Sequence, residues 1–217
     1  MRRSLQRKKV DPARRAEIGR NRRNQTRARI IAAAFEVLGD EKGLYGRIED
    51  VATAANVTRA TLYNHFKGMA ELREALSYEV THDFLTAVTE AINQMPDARD
   101  RSACAIRLYL RRAQEDRRWA WSMINLSATG YIFGAETFRA AERTVREGVE
   151  SGVFHVPSVE LGRDLLMGTT LAAMASIVRM DSPDANPEIV ATRILFALGV
   201  SIDMANDHAN RDLPPVC

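Results

Sequence analysis

The sequence has only two cysteines, Cys104 and Cys217. This count excludes a fold stapled by several disulfides and favours a reduced, cytoplasmic setting. No run of apolar residues approaches the ~18 that cross a membrane, and no apolar segment follows the basic N-terminus as it would in a secretory signal. These absences predict an intracellular protein without a membrane segment.

Recognisable catalytic patterns are also missing. The sequence contains no Gly-x-Ser-x-Gly elbow, no phosphate-cradling glycine loop and no Cys-x-x-Cys pair. Its four histidines, which are His65, His82, His155 and His208, lack the i, i+4 pairing that holds zinc on a helix. We therefore expect no enzymatic activity, no cofactor and no metal site.

Strand signals are absent as well, because no alternating β-branched runs closed by Asn-Gly or Asp-Gly turns occur. Apolar residues recur instead with the period of a helix. The pattern predicts an all-α protein with helices over residues 24–42, 48–55, 58–66, 69–93, 99–115, 119–128, 135–150, 158–180 and 187–206.

Charge is unevenly distributed along the chain. The net charge is only +3, yet residues 1–23 hold ten basic and two acidic residues, whereas residues 68–217 hold fifteen basic and twenty-one acidic ones. A basic arm on an acidic body directs one end of the molecule toward a polyanion. A disordered, solubilising tail is the alternative. We predict a flexible arm (1–23), a compact unit (24–68), a larger helical unit (69–206) and a tail (207–217).

Residues 48–66 have the pattern of a helix-turn-helix, whose second helix enters the major groove of DNA. Val51, Ala52 and Ala55 provide a small inner face where two helices cross, and Leu62 and Phe66 point inward together. The outward positions are rich in hydrogen-bonding groups and contain no carboxylate: Thr58, Arg59, Thr61, Tyr63, Asn64 and His65. This surface predicts DNA binding.

The segment over residues 30–72 resembles the TetR family of transcriptional regulators. The resemblance lies in Val-Ala at 51–52, Ala-Asn-Val-Thr at 55–58 and Thr-Leu-Tyr-Asn-His-Phe at 61–66. It implies a small three-helix DNA-binding domain followed by a larger helical ligand-binding and dimerisation domain, about nine helices in all. It also implies a homodimer that binds a pseudo-palindromic operator in double-stranded DNA, with repression relieved by a small molecule.

Position by position, the resemblance implies that Arg59 and Ala60 read base edges, that Thr61 contacts base or backbone, and that Tyr63 and His65 contact phosphate. Arg59 suits bidentate bonding to guanine, which is worth about 1–3 kcal/mol of discrimination. The structural alternatives are that Tyr63 packs against the first helix and that His65 caps its own helix.

Two positions depart from the family pattern. Arg47 stands where Ser or Thr usually caps the first helix of the motif, which weakens the cap by ~1 kcal/mol and adds a cation near the DNA backbone. Met69 stands where a lysine usually neutralises phosphate, and we expect Lys67 to substitute for it. Arg47, Lys67, Thr58 and Asn64 complete the predicted DNA-binding set.

Aromatic residues concentrate between positions 109 and 138. Because ligand sites are mostly apolar with a few polar groups, we expect a ligand pocket in this region, an ordinary hydrophobic core being the alternative. Its predicted residues are Tyr109, Trp119, Trp121, Met123, Asn125, Phe133, Met167, Thr170 and Met174.

The last two predicted helices carry small and apolar residues that let helix backbones approach closely. These are Leu161, Leu165, Gly168, Ala172, Ala175, Ile194, Ala197, Leu198 and Ser201. We expect the two helices to form a homodimer interface, with packing inside one chain as the alternative.

The sequence thus predicts a homodimeric, ligand-responsive transcriptional regulator, a repressor released by a small apolar ligand. A DNA-binding architectural or co-regulatory protein without a ligand is the alternative hypothesis.

Overall fold

A computed structural model of the chain describes residues 12–128, 132–180 and 186–214. These ranges contain helices and turns and no strand, which confirms the all-α prediction. The helices are α1 (Pro12–Leu38), a 3-10 helix (Gly43–Tyr45), α2 (Ile48–Ala54), α3 (Arg59–Tyr63), α4 (Met69–Asn93), α5 (Ala98–Glu115), α6 (Arg117–Ser127), α7 (Gly134–Glu150), α8 (Val159–Met180), α9 (Pro187–Ala197) and α10 (Ile202–Ala209).

The first three helices and the start of α4 enclose a small core of their own. Its buried apolar side chains are Ile30, Ala33, Ala34, Leu38, Ile48, Val51, Ala52, Ala55, Leu62, Phe66, Leu72 and Leu76, together with Leu126 of α6. Leu72 and Leu76 come from α4, so this long helix belongs to both units of the protein. The boundary predicted at residue 68 therefore marks the start of a shared helix.

The helix α1 begins at Pro12, twelve residues before the predicted start. Proline favours the first position of a helix, and the Arg, Ala and Glu residues that follow are good helix formers. The described side chains from Arg14 to Gln25 are exposed. Residues 12–23 of the predicted arm are thus helical, while residues 1–11 lie outside the described ranges.

The larger unit is built around α5, which packs on α4, α7, α8, α9 and α10. The predicted last helix is divided in two, because Gly199 adopts a left-handed φ of +88° and ends the helical run. A side chain there would meet His155, whose backbone N–H donates to the Leu198 carbonyl at 2.8 Å. The link before α8 therefore lies against the break between α9 and α10.

The predicted tail is also partly anchored. The helix α10 continues to Ala209, and His208 is buried. The Arg211 guanidinium donates to Asp100 at 2.8 and 2.9 Å, and its backbone carbonyl accepts from Arg107 at 2.6 Å. Residues 207–211 thus pack against α5 because charged partners lie there, far away in sequence.

By length and composition, the segment Val159–Arg179 of α8 is apolar enough to cross a membrane, with a mean hydropathy of 1.2. In the fold, 39% of this window is buried inside the protein. Core helices of folded domains have the same character, so this helix is weak evidence for a membrane span.

Candidate functional site

The helix-turn-helix consists of α2, a four-residue turn and α3. Asn56 takes a left-handed φ of 49°, which asparagine tolerates better than most residues, and Val57 N–H donates to the Ala52 carbonyl at 3.0 Å. The Thr58 hydroxyl then caps α3 by accepting the Thr61 N–H at 3.1 Å. The turn chemistry thus sets where the second helix begins.

The packing of this motif decides which of its side chains face solvent. Leu62 and Phe66 are buried against α1 and α2. The exposed positions are Arg47, Thr58, Arg59, Ala60, Tyr63, Asn64 and Lys67, while Thr61 and His65 are half-buried. The predicted DNA-binding residues are therefore all at least partly accessible to solvent, and none belongs to the core.

A carboxylate that sequence reasoning missed lies on this surface. Glu49 of α2 forms an ion pair with Arg59, with 2.8 Å between Oε1 and the guanidinium; the Arg59 and Glu49 side chains are 63% and 44% exposed. The predicted surface without carboxylates is therefore confined to α3. The turn folds α2 back beside α3, and this brings Glu49 to the candidate base reader.

At the start of α2 a side chain within the helix bonds to the backbone of the N-cap residue, whereas the N-cap side chain itself offers no acceptor. Arg47 has no hydroxyl to offer, but its backbone N–H donates to the Asp50 carboxylate at 2.8 Å. Lys67 similarly donates its backbone N–H to Glu71 at 2.7 Å, just before α4. Both cationic side chains remain exposed. The Asp50 and Glu71 contacts were detectable in the sequence as acidic residues three and four positions later.

The basic residues of α1 approach the end of the motif. Partial burial, together with the charges of Arg23 and Arg27, holds the pKa of His65 below its ordinary 6.5. The Arg27 guanidinium lies 4.4 Å from the centre of the Phe66 ring. The neutral form of the His65 imidazole is therefore favoured, and α1 adds cations at this end of the motif.

A partly open cavity of about 60 Å³ lies between α4, α5, α7 and α8. Four of the predicted pocket residues line it: Tyr109, Phe133, Met167 and Thr170. The buried Tyr109 hydroxyl lies 3.1 Å from that of Thr137, and burial raises the pKa of Tyr109 to about 12. The remaining walls are mostly apolar, and α4 contributes residues such as Leu85 and Val88 that sequence reasoning missed.

The other predicted pocket residues lie elsewhere in the fold. Trp119 is edge-on to Phe84, with its ring centre 5.1 Å away, and Trp121 lies under the Arg179 guanidinium. Met123 and Met174 are fully buried in the body's core. Asn125 binds backbone carbonyls at the end of α1. The helical spacing of these residues is typical of a pocket wall and of a packed core alike. Only the packing of the helices shows which of the two environments each residue occupies.

An apolar face is exposed along α8 and α9. Leu161, Ile189 and Phe196 are about half exposed, and the space in front of Gly168 is open. Ala172 and Ala197 of the predicted set are exposed too, whereas Leu165 and Ala175 are half-buried. Ile189 and Phe196 were missed, although their spacing of seven places them on one helical face.

Three residues of the predicted dimer face need correction. Ile194 and Leu198 are buried in the chain's own core, because α9 turns that side toward α5. Ser201 lies in the break before α10 rather than within a helix.

Asp97, Asp100 and His208 place potential metal-ligand atoms within 4.8 Å of one another. The Asp97 carboxylate already accepts from Arg99 and the Asp100 carboxylate from Arg211, and His208 Nδ1 lies 2.6 Å from Asp100 Oδ1. The cluster is an ion-pair network that joins the start of α5 to α10.

Comparison with known proteins agrees with this architecture. Residues 30–76 match the family model of bacterial regulatory proteins of the tetR family, and residues 97–211 match that of the tetracyclin repressor-like C-terminal domain. Two Pseudomonas putida proteins, the probable HTH-type transcriptional regulator ArpR and the HTH-type transcriptional regulator TtgR, are each 38% identical over 79 residues. The match spans 33% of this chain and 35% of each relative, so it reaches only about a third of their length.

Solved structures resemble the whole fold. RolR in complex with resorcinol is 25% identical, with a TM-score of 0.73 over 91% of this chain and 99% of its own. The regulator FadR from Bacillus subtilis, in complex with stearoyl-CoA, is 22% identical, with a TM-score of 0.62 over 79% of this chain and 96% of its own. The second likeness concerns the fold alone. Because both family models match in order, and the C-terminal model alone covers more than half of this chain, the chain belongs to the TetR family of helix-turn-helix transcriptional regulators.

Proposed function

We propose that this regulator is a homodimeric repressor that reads a pseudo-palindromic operator with α3 and releases it when a small, mainly apolar ligand enters the cavity. The observation that carries the proposal is the exposed surface of the motif, where Arg59, Tyr63 and Asn64 face solvent, together with Arg23 and Arg27 of α1, whose charges act on the neighbouring His65. Such a protein acts on DNA in the cytoplasm, and its role is regulatory rather than catalytic.

Arg59 is the proposed base reader. To contact guanine it must leave Glu49, and an exposed ion pair of this kind contributes only about 0.2–1 kcal/mol. A bidentate contact to guanine contributes about 1–3 kcal/mol of discrimination, which exceeds the free energy of the Arg59–Glu49 ion pair. Arg59 is therefore expected to exchange Glu49 for guanine when DNA binds. Ala60 and Thr61 lie within reach of the same bases. The phosphates are held by Tyr63, His65, Arg47 and Lys67. The border of this surface is formed by Thr58 and Asn64.

The exposed arginines of α1 supply sequence-independent attraction. Each phosphate that is neutralised steepens the dependence of log K on log salt by about 0.9. Replacing Arg14, Arg20 and Arg22 by Gln should therefore flatten this slope and leave the preferred sequence unchanged. A changed consensus would contradict a purely electrostatic role.

The test of DNA reading is selection of bound duplexes from a random pool. We expect a two-fold symmetric site from the wild-type protein and relaxed preference at one base pair in each half-site from Arg59→Ala. Arg139→Ala, which removes an exposed arginine on α7, is the matched control. An unchanged site with Arg59→Ala would refute the assignment of α3.

The proposed dimer interface is the apolar face of α8 and α9. Phe196→Glu should yield monomers in sedimentation measurements and weaken operator binding, because the two half-sites are then bound separately. Tyr78→Glu changes an equally exposed aromatic residue on α4 and should leave the dimer intact. A dimeric Phe196→Glu protein would place the interface elsewhere.

The size of the cavity favours a compact ligand. About 60 Å³ is small against the ~150 Å³ of a cavity that takes up benzene, so even a single ring must push the walls outward. Resorcinol, the ligand of the similar RolR structure, has this size and carries hydroxyls that suit the Tyr109–Thr137 pair. A long acyl chain such as that of stearoyl-CoA, which FadR holds, is too large.

Titration of the protein–operator complex tests the ligand class. We expect resorcinol to raise the melting temperature of the free protein and to release the operator, and stearoyl-CoA to do neither. If neither compound acts, the ligand class is wrong, while DNA reading by α3 stands on its own test.

A further inference from the structure

We propose that Ser102 determines which ligands the cavity selects, because its hydroxyl binds a neutral hydrogen-bonding group of the ligand, a hydroxyl or a carbonyl. This assignment rests on the proposed function, in which a small ligand enters the cavity. The ligand class that follows is an uncharged ring with polar groups at two positions. A ring with one polar group is expected to bind more weakly, and a ring with a carboxylate more weakly still.

Ser102 lies on α5 in the wall of the cavity, and the residue is only 2% exposed. Its Oγ atom is buried and has no hydrogen-bond partner among the residues that the structure describes. Nearly all buried polar groups in folded proteins are hydrogen-bonded, because an unpaired one destabilises the fold. A ligand atom in the cavity would supply the partner that the Ser102 hydroxyl lacks.

Other buried hydroxyls of this protein are bonded within their own helices. The Thr170 hydroxyl, in the wall of the same cavity, donates to the Leu166 carbonyl four positions earlier at 2.7 Å. Ser127 of α6 makes a bond of the same kind, also at 2.7 Å. The corresponding acceptor for Ser102 would be the Ala98 carbonyl, and the Ser102 hydroxyl does not bond to it. The donor and the acceptor capacity of Ser102 therefore both remain for a ligand.

A second polar contact lies on the same face of α5. Ser102 and Tyr109 are seven residues apart, which is two helical turns, or about 10 Å along the axis. The Tyr109 and Thr137 hydroxyls lie 3.1 Å apart, and the pair can still bond to a ligand, since each hydroxyl makes more than one hydrogen bond. Ala105 lies between the two positions in the cavity wall. This arrangement suits a ring that carries two polar groups.

The charge of the wall favours a neutral ligand. Arg101 is the one charged residue among the described residues that line the cavity. Its guanidinium donates to the carbonyls of Met95 and Pro96 at 2.8 and 2.9 Å. The same group pairs with the Glu147 carboxylate at 2.5 Å. A carboxylate ligand would have to displace these partners, and burying an unpaired charge is costly.

The free protein provides the first test. Because the Ser102 hydroxyl lacks a partner, Ser102→Ala should leave the melting temperature unchanged or raise it. Tyr109→Phe should lower the melting temperature by about 2–4 °C, because it leaves the buried Thr137 hydroxyl unpaired. An equal decrease with Ser102→Ala would show that this hydroxyl already stabilises the fold, and would overturn the assignment.

Calorimetric titration of the full-length, DNA-free protein tests ligand recognition. Resorcinol and phenol differ by one hydroxyl, and phenol can place its single hydroxyl at the Tyr109–Thr137 pair. We expect Ser102→Ala to weaken resorcinol binding about fivefold, the equivalent of one hydrogen bond, and phenol binding less than about twofold. Ser122→Ala is the matched control, because its hydroxyl is also buried without a partner among the described residues but lies on α6, outside the cavity lining. It should keep the wild-type preference.

Benzoate tests the charge of the ligand, and wild-type protein should bind it at least about tenfold more weakly than resorcinol. The assignment would be overturned by tighter binding of benzoate, by an unchanged preference for resorcinol in Ser102→Ala, or by failure of wild-type protein to bind both phenols. Operator release is measured separately. If resorcinol binds through Ser102 but leaves the operator bound, the proposed release is refuted and the assignment stands. If release occurs and the Ser102→Ala affinity is unchanged, the reverse holds.

Discussion

Replacing Glu49 by Gln is expected to tighten operator binding. Glu49 lies 2.8 Å from the guanidinium of Arg59, so in the free protein it competes with DNA for the proposed base reader. The amide of Gln keeps the size of the side chain and removes its charge. The substitution also removes a negative charge that would lie near phosphates.

The expected gain is modest because both side chains are largely exposed. An exposed ion pair contributes about 0.2–1 kcal/mol, and a dimer must break two, so the total is about 0.4–2 kcal/mol, or roughly 2- to 30-fold in Kd. Arg59→Ala should weaken binding by more, since it loses about 1–3 kcal/mol in each half-site.

Fluorescence anisotropy with the selected operator, at one fixed salt concentration, measures both effects. The decisive comparison is Glu49→Gln in an Arg59→Ala background, where the gain should largely vanish. Glu115→Gln removes an exposed carboxylate at the end of α5 and should change Kd little. An equal gain with and without Arg59 would show that only net charge matters, and weaker binding by Glu49→Gln would refute the competition.

Three further outcomes are expected. Arg107→Ala breaks a buried ion pair with Glu188 and should lower the free energy of unfolding by about 3–5 kcal/mol in urea titrations, whereas the more exposed Arg111→Ala should cost at most ~1 kcal/mol. Burial raises the pKa of Cys104 to about 11, so a thiol reagent should leave it unmodified at pH 8 until the protein unfolds; rapid labelling of the native state would contradict this. The pKa of His65 lies below 6.5 in the free protein, and contact with phosphate favours the cation. Operator affinity should therefore rise as the pH is lowered through the range in which His65 takes up its proton, and a His65→Gln variant with the same pH profile would exclude that contact.

The helix-turn-helix is the feature most completely encoded by local sequence. Turn, cap and inward positions all lie within residues 48–66, and each obeys a rule that spans four residues or fewer. The starts of α4 and α9 are predicted from local sequence as well, since each helix shows a helical period or a cap in its own residues. Such elements form in the same way wherever the rest of the chain lies.

Features that depend on contacts between helices distant in sequence were predicted less well. The break at Gly199 depends on its contact with His155, forty-four positions away, and the anchoring of Arg211 depends on Asp100. Of the nine residues predicted for the pocket, four line the cavity, because an apolar helical stripe looks the same whether it faces a cavity or a packed core.

The sequence alone determined the all-α fold, the helix-turn-helix and the family, because helical periods, caps and turns are encoded in neighbouring residues. Tertiary structure decided what those elements meet. It paired Glu49 with Arg59, gathered the cavity from four helices, and brought Asn125 to the Leu38 carbonyl, eighty-seven positions earlier in the chain. Such contacts depend on how helices pack in three dimensions, and no local pattern specifies them.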